Sequence, residues 1–378
     1  MLDQWSNLMV YASMGVFALA FFAFAVSFAA SRTPDGESEA DSVAELAVVG
    51  SGASAVGAEA TVAADPAAVA RAAARAKSPQ IEAEMARESR SAGRRGGRGE
   101  GDALPPGRRA GNIGMALTWL GFGLLAIGVV LRGVWADRAP WGNMYEFSLA
   151  SALAVAGVFL VVSLRRDVRW LGVLVTLAVL LTLGIAVLLL YNDSPQLVPA
   201  LRSYWLIIHV SAAILAGGAF TVGAAATVLY LMADRAERDA AATEPREFTG
   251  RLAGLRGRAH RTNSRICAAV AARVPASGPL DVFAYKVNAF LFPLWTFAVI
   301  AGAIWAEDAW GRYWNWDPKE TWAFITWVVY AAYLHARATA GWKGRKAAVV
   351  GLIGFACFLI NYFGVNLFAS GLHSYSGV

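Results

Sequence analysis

The sequence predicts an all-α fold: a polytopic integral membrane bundle of about eight transmembrane helices, with both termini outside. Two observations carry this expectation. Hydrophobic residues make up 57% of the 378-residue chain and charged residues only 16%, and the apolar residues gather in runs long enough to span a hydrocarbon core of about 30 Å. The basic residues, 33 in all, alternate sharply between the loops that separate those runs.

The runs lie near residues 8–30, 113–132, 144–164, 170–191, 204–232, 287–305, 320–336 and 347–369. None alternates polar with apolar residues, so each reads as a helix. The first offers the small residues Ser27-Phe28-Ala29-Ala30-Ser31, as a cleaved signal would, but Asp3 precedes it in place of basic charge and Arg32 follows. That order favours an uncleaved helix with its N-terminus outside. Lys and Arg then number 28 in residues 31–112, 165–169, 233–286 and 337–346, against five at Arg132, Arg138, Arg202, Arg312 and Lys319. Basic loops stay cytoplasmic, which predicts an N-out, C-out protein of the cell membrane. The net charge of +6 is therefore a topological signal in a protein partnered by the lipid bilayer, and it excludes nucleic acid as a partner.

Residues 31–110 are rich in Ala, Gly, Ser, Glu and Arg and hold no aromatic side chain. Such a segment buries too little apolar surface to order itself, so the expected organisation is a transmembrane helix at 1–30, a disordered cytoplasmic linker at 31–110 and a membrane domain at 111–378. Ala233 to Pro279 forms a second cytoplasmic connection, with room for an amphipathic helix on the membrane surface. Cys267 and Cys357 fall in different compartments, which argues against a mutual disulfide. The chain lacks Cys-x-x-Cys and Cys-x-x-Cys-His, so it neither performs thiol redox chemistry nor carries covalent haem.

The densest polar feature is Trp310-Gly311-Arg312-Tyr313-Trp314-Asn315-Trp316-Asp317-Pro318-Lys319-Glu320, placed by the charge pattern on the outer side. Half of the 14 tryptophans lie at 295, 305, 310, 314, 316, 322 and 327. Tryptophan collects at bilayer interfaces in any membrane protein, and Asp317, Pro318 and Glu320 also spell a helix start with its cap. Two tryptophans separated by one residue exceed what anchoring needs, and flat aromatic surface suits a flat ligand.

Three of the four histidines lie in or at the ends of the apolar runs, where polar side chains are costly. His209 sits within about two turns of the outer start of its helix, and His373 follows the outer end of the last. Each reads either as an interfacial histidine bonded to a neighbouring helix or as an axial ligand of haem iron. His335 lies about 22 Å below the tryptophan loop, too far to share the same iron. His260 belongs to a solvated basic loop. Arg312, Lys319, Arg138 and Arg202 are the basic residues available for haem propionates, or for plain interfacial roles. In Trp141-Gly142-Asn143-Met144-Tyr145-Glu146 a capped turn explains the residues as well as any function does.

The loop resembles the tryptophan-rich WWD loop of the haem-handling proteins of cytochrome c maturation, of the CcsA/ResC type (also called CcsB) of system II. The contexts Ser203-Tyr204-Trp205-Leu206-Ile207-Ile208-His209, Tyr333-Leu334-His335-Ala336-Arg337 and Gly371-Leu372-His373-Ser374-Tyr375 support the resemblance, which covers residues 113 to 378. It implies that His209 and His373 hold haem b transiently at the outer face, against Trp310, Trp314, Trp316 and Asp317, while His335 with a partner's histidine ligates haem on its way across the membrane. It also implies a ResB-type membrane partner, extracytoplasmic thiol reductants and an apocytochrome c whose Cys-x-x-Cys-His motif receives the haem, this chain being the haem-binding subunit of a holocytochrome c synthase. A haem or flat-anion exporter lacking ligation activity and a membrane electron-transfer protein with permanent haem are the alternatives. Related halves or paired histidines inside facing helices would mark those, and neither is visible in the sequence.

Overall fold

Ten α-helices, one 3-10 turn and one π-turn form the secondary structure of the residues that the computed structural model describes, namely 1–31, 106–192, 203–242 and 253–373. No strand occurs among them. In chain order the helices are α1 Leu2–Ala30, α2 Pro106–Ala136, α3 Met144–Ser163, α4 Gly172–Leu189, α5 Tyr204–Ala241, α6 Ala253–Ala271, α7 Ser277–Trp310, α8 Pro318–Ala338, α9 Arg345–Leu359 and α10 Val365–Phe368. The π-turn Ile360–Gly364 joins the last two into one nearly continuous rod.

Among the described residues seven helices are long and apolar enough to cross a membrane: α1 to α5, α7, and the rod from Arg345 to Phe368. The run expected as the eighth span is α8. Its 21 residues reach about 31 Å at 1.5 Å per residue, a membrane's thickness, but Lys319, Glu320, Thr321, Thr326, His335 and Arg337 dilute its apolar content. The expected linker 31–110 lies almost wholly outside the described residues. Its final residues are an exception, because α2 begins at Pro106, ahead of the apolar run at 113. Serine 27 Oγ donates to the Gly107 carbonyl at 2.6 Å and thereby ties that start to α1. The connection after residue 232 also differs from a loop: α5 runs on to Ala241, and α6 packs along it, with Ser264 Oγ donating to Asp239 at 2.6 Å. Cys267 and Cys357 are both free thiols, as expected.

Polar contacts sort the connections into two ends. At one end Asn7 Nδ2 donates to Tyr191 at 3.1 Å, Arg132 to the Asn192 carbonyl at 2.6 Å, and Leu372 N to Asp317 Oδ1 at 2.6 Å. At the other, Arg169 reaches Asn112 at 2.6 Å, Ser277 N reaches Glu237 at 2.8 Å, and Arg337 grips both oxygens of Asp281 at 2.7 and 2.9 Å. The segments poor in basic residues therefore share one end, and the basic ones share the other.

Apolar packing holds the helices together in overlapping groups. Phe24 of α1 meets Phe159 of α3 edge to face at 6.1 Å. Farther along, Phe220 of α5 sits 5.6 Å from Trp295 of α7 and 4.4 Å from Tyr330 of α8. Near the basic-poor end, Trp305 of α7 is buried among Leu206, Val210 and Ile214 of α5 and Ala150 and Ala154 of α3. Burial of such large side chains supplies packing that lipid alone would not.

Candidate functional site

Chain geometry around the tryptophan loop follows from its sequence. α7 stops at Trp310 because Gly311 adopts a left-handed φ of 69° and its N–H bonds the Glu307 carbonyl at 2.7 Å. α8 starts with the predicted capping box. Lys319 N donates to Asp317 at 3.1 Å, while Glu320 Oε2 accepts from Asp317 N at 3.2 Å and from Asn315 N at 2.8 Å. The turn between them is tight enough to hold Trp316 at a φ of 57°, a region that bulky side chains rarely occupy.

Beside this loop lies a cavity of about 160 Å³ whose lining includes Trp141, His209, Trp310, Trp314, Lys319 and His373. The structure thus gathers five residues expected at the site. Arg312, Trp316, Asp317 and His335 do not line the cavity. Trp316 is two-thirds exposed and packs edge-on against Trp314 at 5.7 Å and Phe324 at 6.2 Å. Arg312 is exposed at the loop's tip, and His335 is exposed on α8, about 25 Å along the helix from Pro318. His260 lies on α6, 3.5 Å from Ser264 Oγ.

Asp317 reaches the cavity only through its contact with His373. His373 Nδ1 donates to Asp317 Oδ2 at 2.8 Å, and the other carboxylate oxygen accepts from Leu372 N at 2.6 Å. Burial of Asp317 works to raise its pKa, but the hydrogen bonds from His373 and Leu372 outweigh it and hold the carboxyl below the ordinary value of 3.8. An ionised carboxylate only accepts, so Nδ1 of His373 bears a proton in this contact. His209 is fixed in the same sense by a different acceptor, since its Nδ1 lies 2.7 Å from the carbonyl of Ala298. Both rings thus have Nδ1 engaged, and a carboxylate behind an imidazole raises its basicity.

Trp305 stands between the two imidazoles. It is 1% exposed, stacks on His209 at 6.0 Å with planes 11° apart, and meets His373 edge-on at 5.7 Å and Trp310 at 4.8 Å. Lys319 points its ammonium at the Asn361 carbonyl, 3.1 Å away on the π-turn, a distortion that often marks functional positions.

Two cavity residues and one neighbouring ion cluster escaped the sequence reading. Trp305 was only one tryptophan among many in an apolar run, and nothing local distinguishes a gap-filling indole from a packed one. Asn361 sits in the last apolar run, where one polar residue carries little signal. The turn before α3 proved to be a buried ion cluster: Glu146 accepts from Arg132 at 3.1 Å and from Arg138 at 2.6 and 3.1 Å, with Arg132 and Glu146 each 1% exposed. Asn143 does cap α3, accepting from Glu146 N at 2.8 Å. Arg138 is thereby committed to Glu146, and Arg202 lies outside the described residues.

Fold and site together define a polytopic helical membrane protein with paired, backed histidines in an aromatic cavity. The chain belongs to the cytochrome c assembly protein family, whose pattern matches residues 141–373. It is similar to the cytochrome c biogenesis protein CcsA of Microcystis aeruginosa, with 35% identity over 295 residues, covering 69% of this chain and 87% of that protein. Proteins of the same description from Rippkaea orientalis and Heterosigma akashiwo are 37% and 36% identical, over 66% and 62% of this chain and 84% and 76% of their own lengths.

Proposed function

We propose that this chain, acting in cytochrome c biogenesis, holds haem b as a transient cargo between His209 and His373 and presents it for covalent attachment to an apocytochrome c. The observation that supports this best is the matched pair of imidazoles on one cavity, each with Nδ1 held by an acceptor behind it. Indole faces at Trp310 and Trp314 suit a porphyrin plane. A void of about 160 Å³ is the size that takes one benzene ring, so a tetrapyrrole enters only as the wall parts. Displacing Trp305 from between the imidazoles opens the required gap.

The basic-poor end faces outward in this reading, since 28 of the 33 basic residues lie on the other side. His335, exposed on α8, offers its ring to a histidine of a ResB-type membrane partner for passage of haem. Thiols of the apocytochrome motif, kept reduced by extracytoplasmic reductants, add to the vinyl groups, and the motif's own histidine replaces one of the pair. The protein supplies orientation and ligand exchange, and the porphyrin and thiols supply the bond chemistry.

The test is purification of wild type and of His209→Ala, His373→Ala with absorption spectra of the haem each retains. A low-spin bis-histidine spectrum lost in the double variant, and partly restored to each single variant by free imidazole, is expected. An unchanged spectrum in the double variant would exclude the assignment. Co-expression with the partner and a reporter apocytochrome separates attachment from export, because only attachment yields covalent haem.

A further inference from the structure

The cavity contains two buried donors that its established geometry leaves unused. Asn143 is 3% exposed, and its Oδ1 is committed to the cap of α3, which fixes the amide so that Nδ2 must face the other way. Among the described residues neither Asn143 Nδ2 nor the neighbouring Trp141 Nε1 has a hydrogen-bond partner, although both atoms are buried and both residues line the cavity that holds His209 and His373. Buried polar groups are rarely left unpaired, and a pair of them on one turn points to a ligand that accepts hydrogen bonds. Two N–H donors two residues apart suit the two oxygens of a carboxylate.

The lining carries one cation and one acid, so its formal charge does not oppose an anion. Lys319 is the one Lys or Arg among the described lining residues. Glu320, the acid in that lining, already accepts from Asn315 N and Asp317 N. Arg138 and Arg132 neutralise Glu146 beside the turn, so the buried carboxylate there does not repel a second one. Arg312, the cation nearest in sequence to the tryptophans, is not part of the lining.

We propose that Trp141 and Asn143 form the carboxylate subsite of this cavity and take a propionate of the bound porphyrin, setting which edge of the macrocycle faces the loop before α3. This rests on the haem-holding reading above and adds the group that orients the cargo.

The test titrates iron protoporphyrin and its dimethyl ester into detergent-purified wild type, Trp141→Phe, Asn143→Asp and Asn143→Ser. Phe keeps an aromatic ring and removes the N–H. Both Asp and Ser still cap α3, and both lack the amide donor. Wild type should bind the diacid at least about ten-fold more tightly than the ester, given the strength of hydrogen bonds to a charged acceptor. Trp141→Phe and Asn143→Ser should each remove most of that preference while the ester's affinity and the bis-histidine spectrum stay unchanged, and Asn143→Asp should invert it. Equal loss for acid and ester, or an undiminished preference for the acid in all three variants, overturns the subsite. Wild-type protein that binds both porphyrins equally through histidine overturns the subsite alone, and wild type that binds neither overturns the haem-holding reading with it.

Discussion

Asp317 and His373 are 56 residues apart in sequence, yet the carboxylate of one accepts from the imidazole of the other at 2.8 Å. The residue that starts α8 is therefore also the residue that orients a candidate ligand at the end of the chain. Replacing Asp317 by Asn separates these duties, because Asn caps a helix about as well as Asp. Insertion and the start of α8 should survive. Haem affinity should fall by roughly ten- to a hundred-fold, the usual cost of losing the carboxylate behind a ligating histidine. Haem per protein, measured at matched expression, decides the matter, and full retention would show that His373 is held by other means.

The same pair carries a pH dependence of known sign. Asp317 has its folded pKa below the ordinary 3.8, so its stabilising contribution is complete above that value and disappears as pH falls through the lower, folded one. The difference in thermal stability between haem-free wild type and Asp317→Asn should be present at neutral pH and be lost as pH falls below the ordinary carboxylate range. A difference that closes near pH 6 would assign it to another group.

Gly302 matters through close approach. A Cβ built on it would lie 2.7 Å from both Nδ1 and Cε1 of His209, nearer than carbon atoms pack. Gly302→Ala should push the ring off the Ala298 carbonyl, a hydrogen bond worth about 0.5–1.5 kcal/mol, and weaken haem binding up to about ten-fold. The protein should still insert and resist protease, so a normal spectrum at wild-type affinity would mean that the imidazole finds another seat.

Much of this was legible in the sequence because the bilayer imposes simple rules. Run length and basic alternation gave the helices and the sorting of their connections into two ends, and the Asp317-Pro318-Lys319-Glu320 pattern gave the cap. His209 and His373 were legible as a pair because the same alternation puts both beside the tryptophan loop. What stayed hidden depends on side chains meeting across helices. Asp317 read as a cap and haem contact, since its bond to His373 spans two helices, and Trp305 could not be told from Trp295 without knowing which faces the imidazoles. The early start of α2 at Pro106 was masked by polar residues preceding its apolar run.

Trp314 and Trp316 look equivalent in sequence and are not in space. Trp314 lines the cavity, whereas Trp316 lies outside it with a left-handed backbone. Trp314→Ala should lose an aromatic contact worth about 0.5–1.5 kcal/mol, roughly two- to ten-fold in haem affinity. Trp316→Asn should keep haem near the wild-type level, since Asn tolerates that φ. If the two variants lose haem equally, the loop closes over the ligand in a different arrangement.

Glu146 lies between Arg132 and Arg138 beneath the turn that carries Trp141 and Asn143. Glu146→Gln would leave two guanidinium groups facing a neutral amide, and breaking a buried pair from one side costs about 3–5 kcal/mol. The variant should unfold at lower temperature in detergent. Thermal melts that coincide with wild type would mean that the cluster is solvated in the membrane.

The membrane body should fold without residues 34–104. Those residues supply no aromatic side chain and so no porphyrin face. The two ends flanking them are already adjacent: Ser27 Oγ bonds the Gly107 carbonyl at 2.6 Å, and a Cβ on Gly107 would stand 2.7 Å from Ser31 Oγ. A linker of about five residues, each reaching up to about 3.5 Å, is ample to connect the chain across the short gap between Ser31 and Gly107. The deletion has to stop at residue 104, because α2 begins at Pro106 and cutting to residue 110 would remove its first turn and the bond from Ser27. Cells carrying the shortened protein at matched expression should mature cytochrome c at close to the normal level, with the bis-histidine spectrum intact. Loss of maturation from a shortened protein that still inserts and still binds haem would give the deleted segment a role in delivery or partner contact; loss of haem itself would place it at the site.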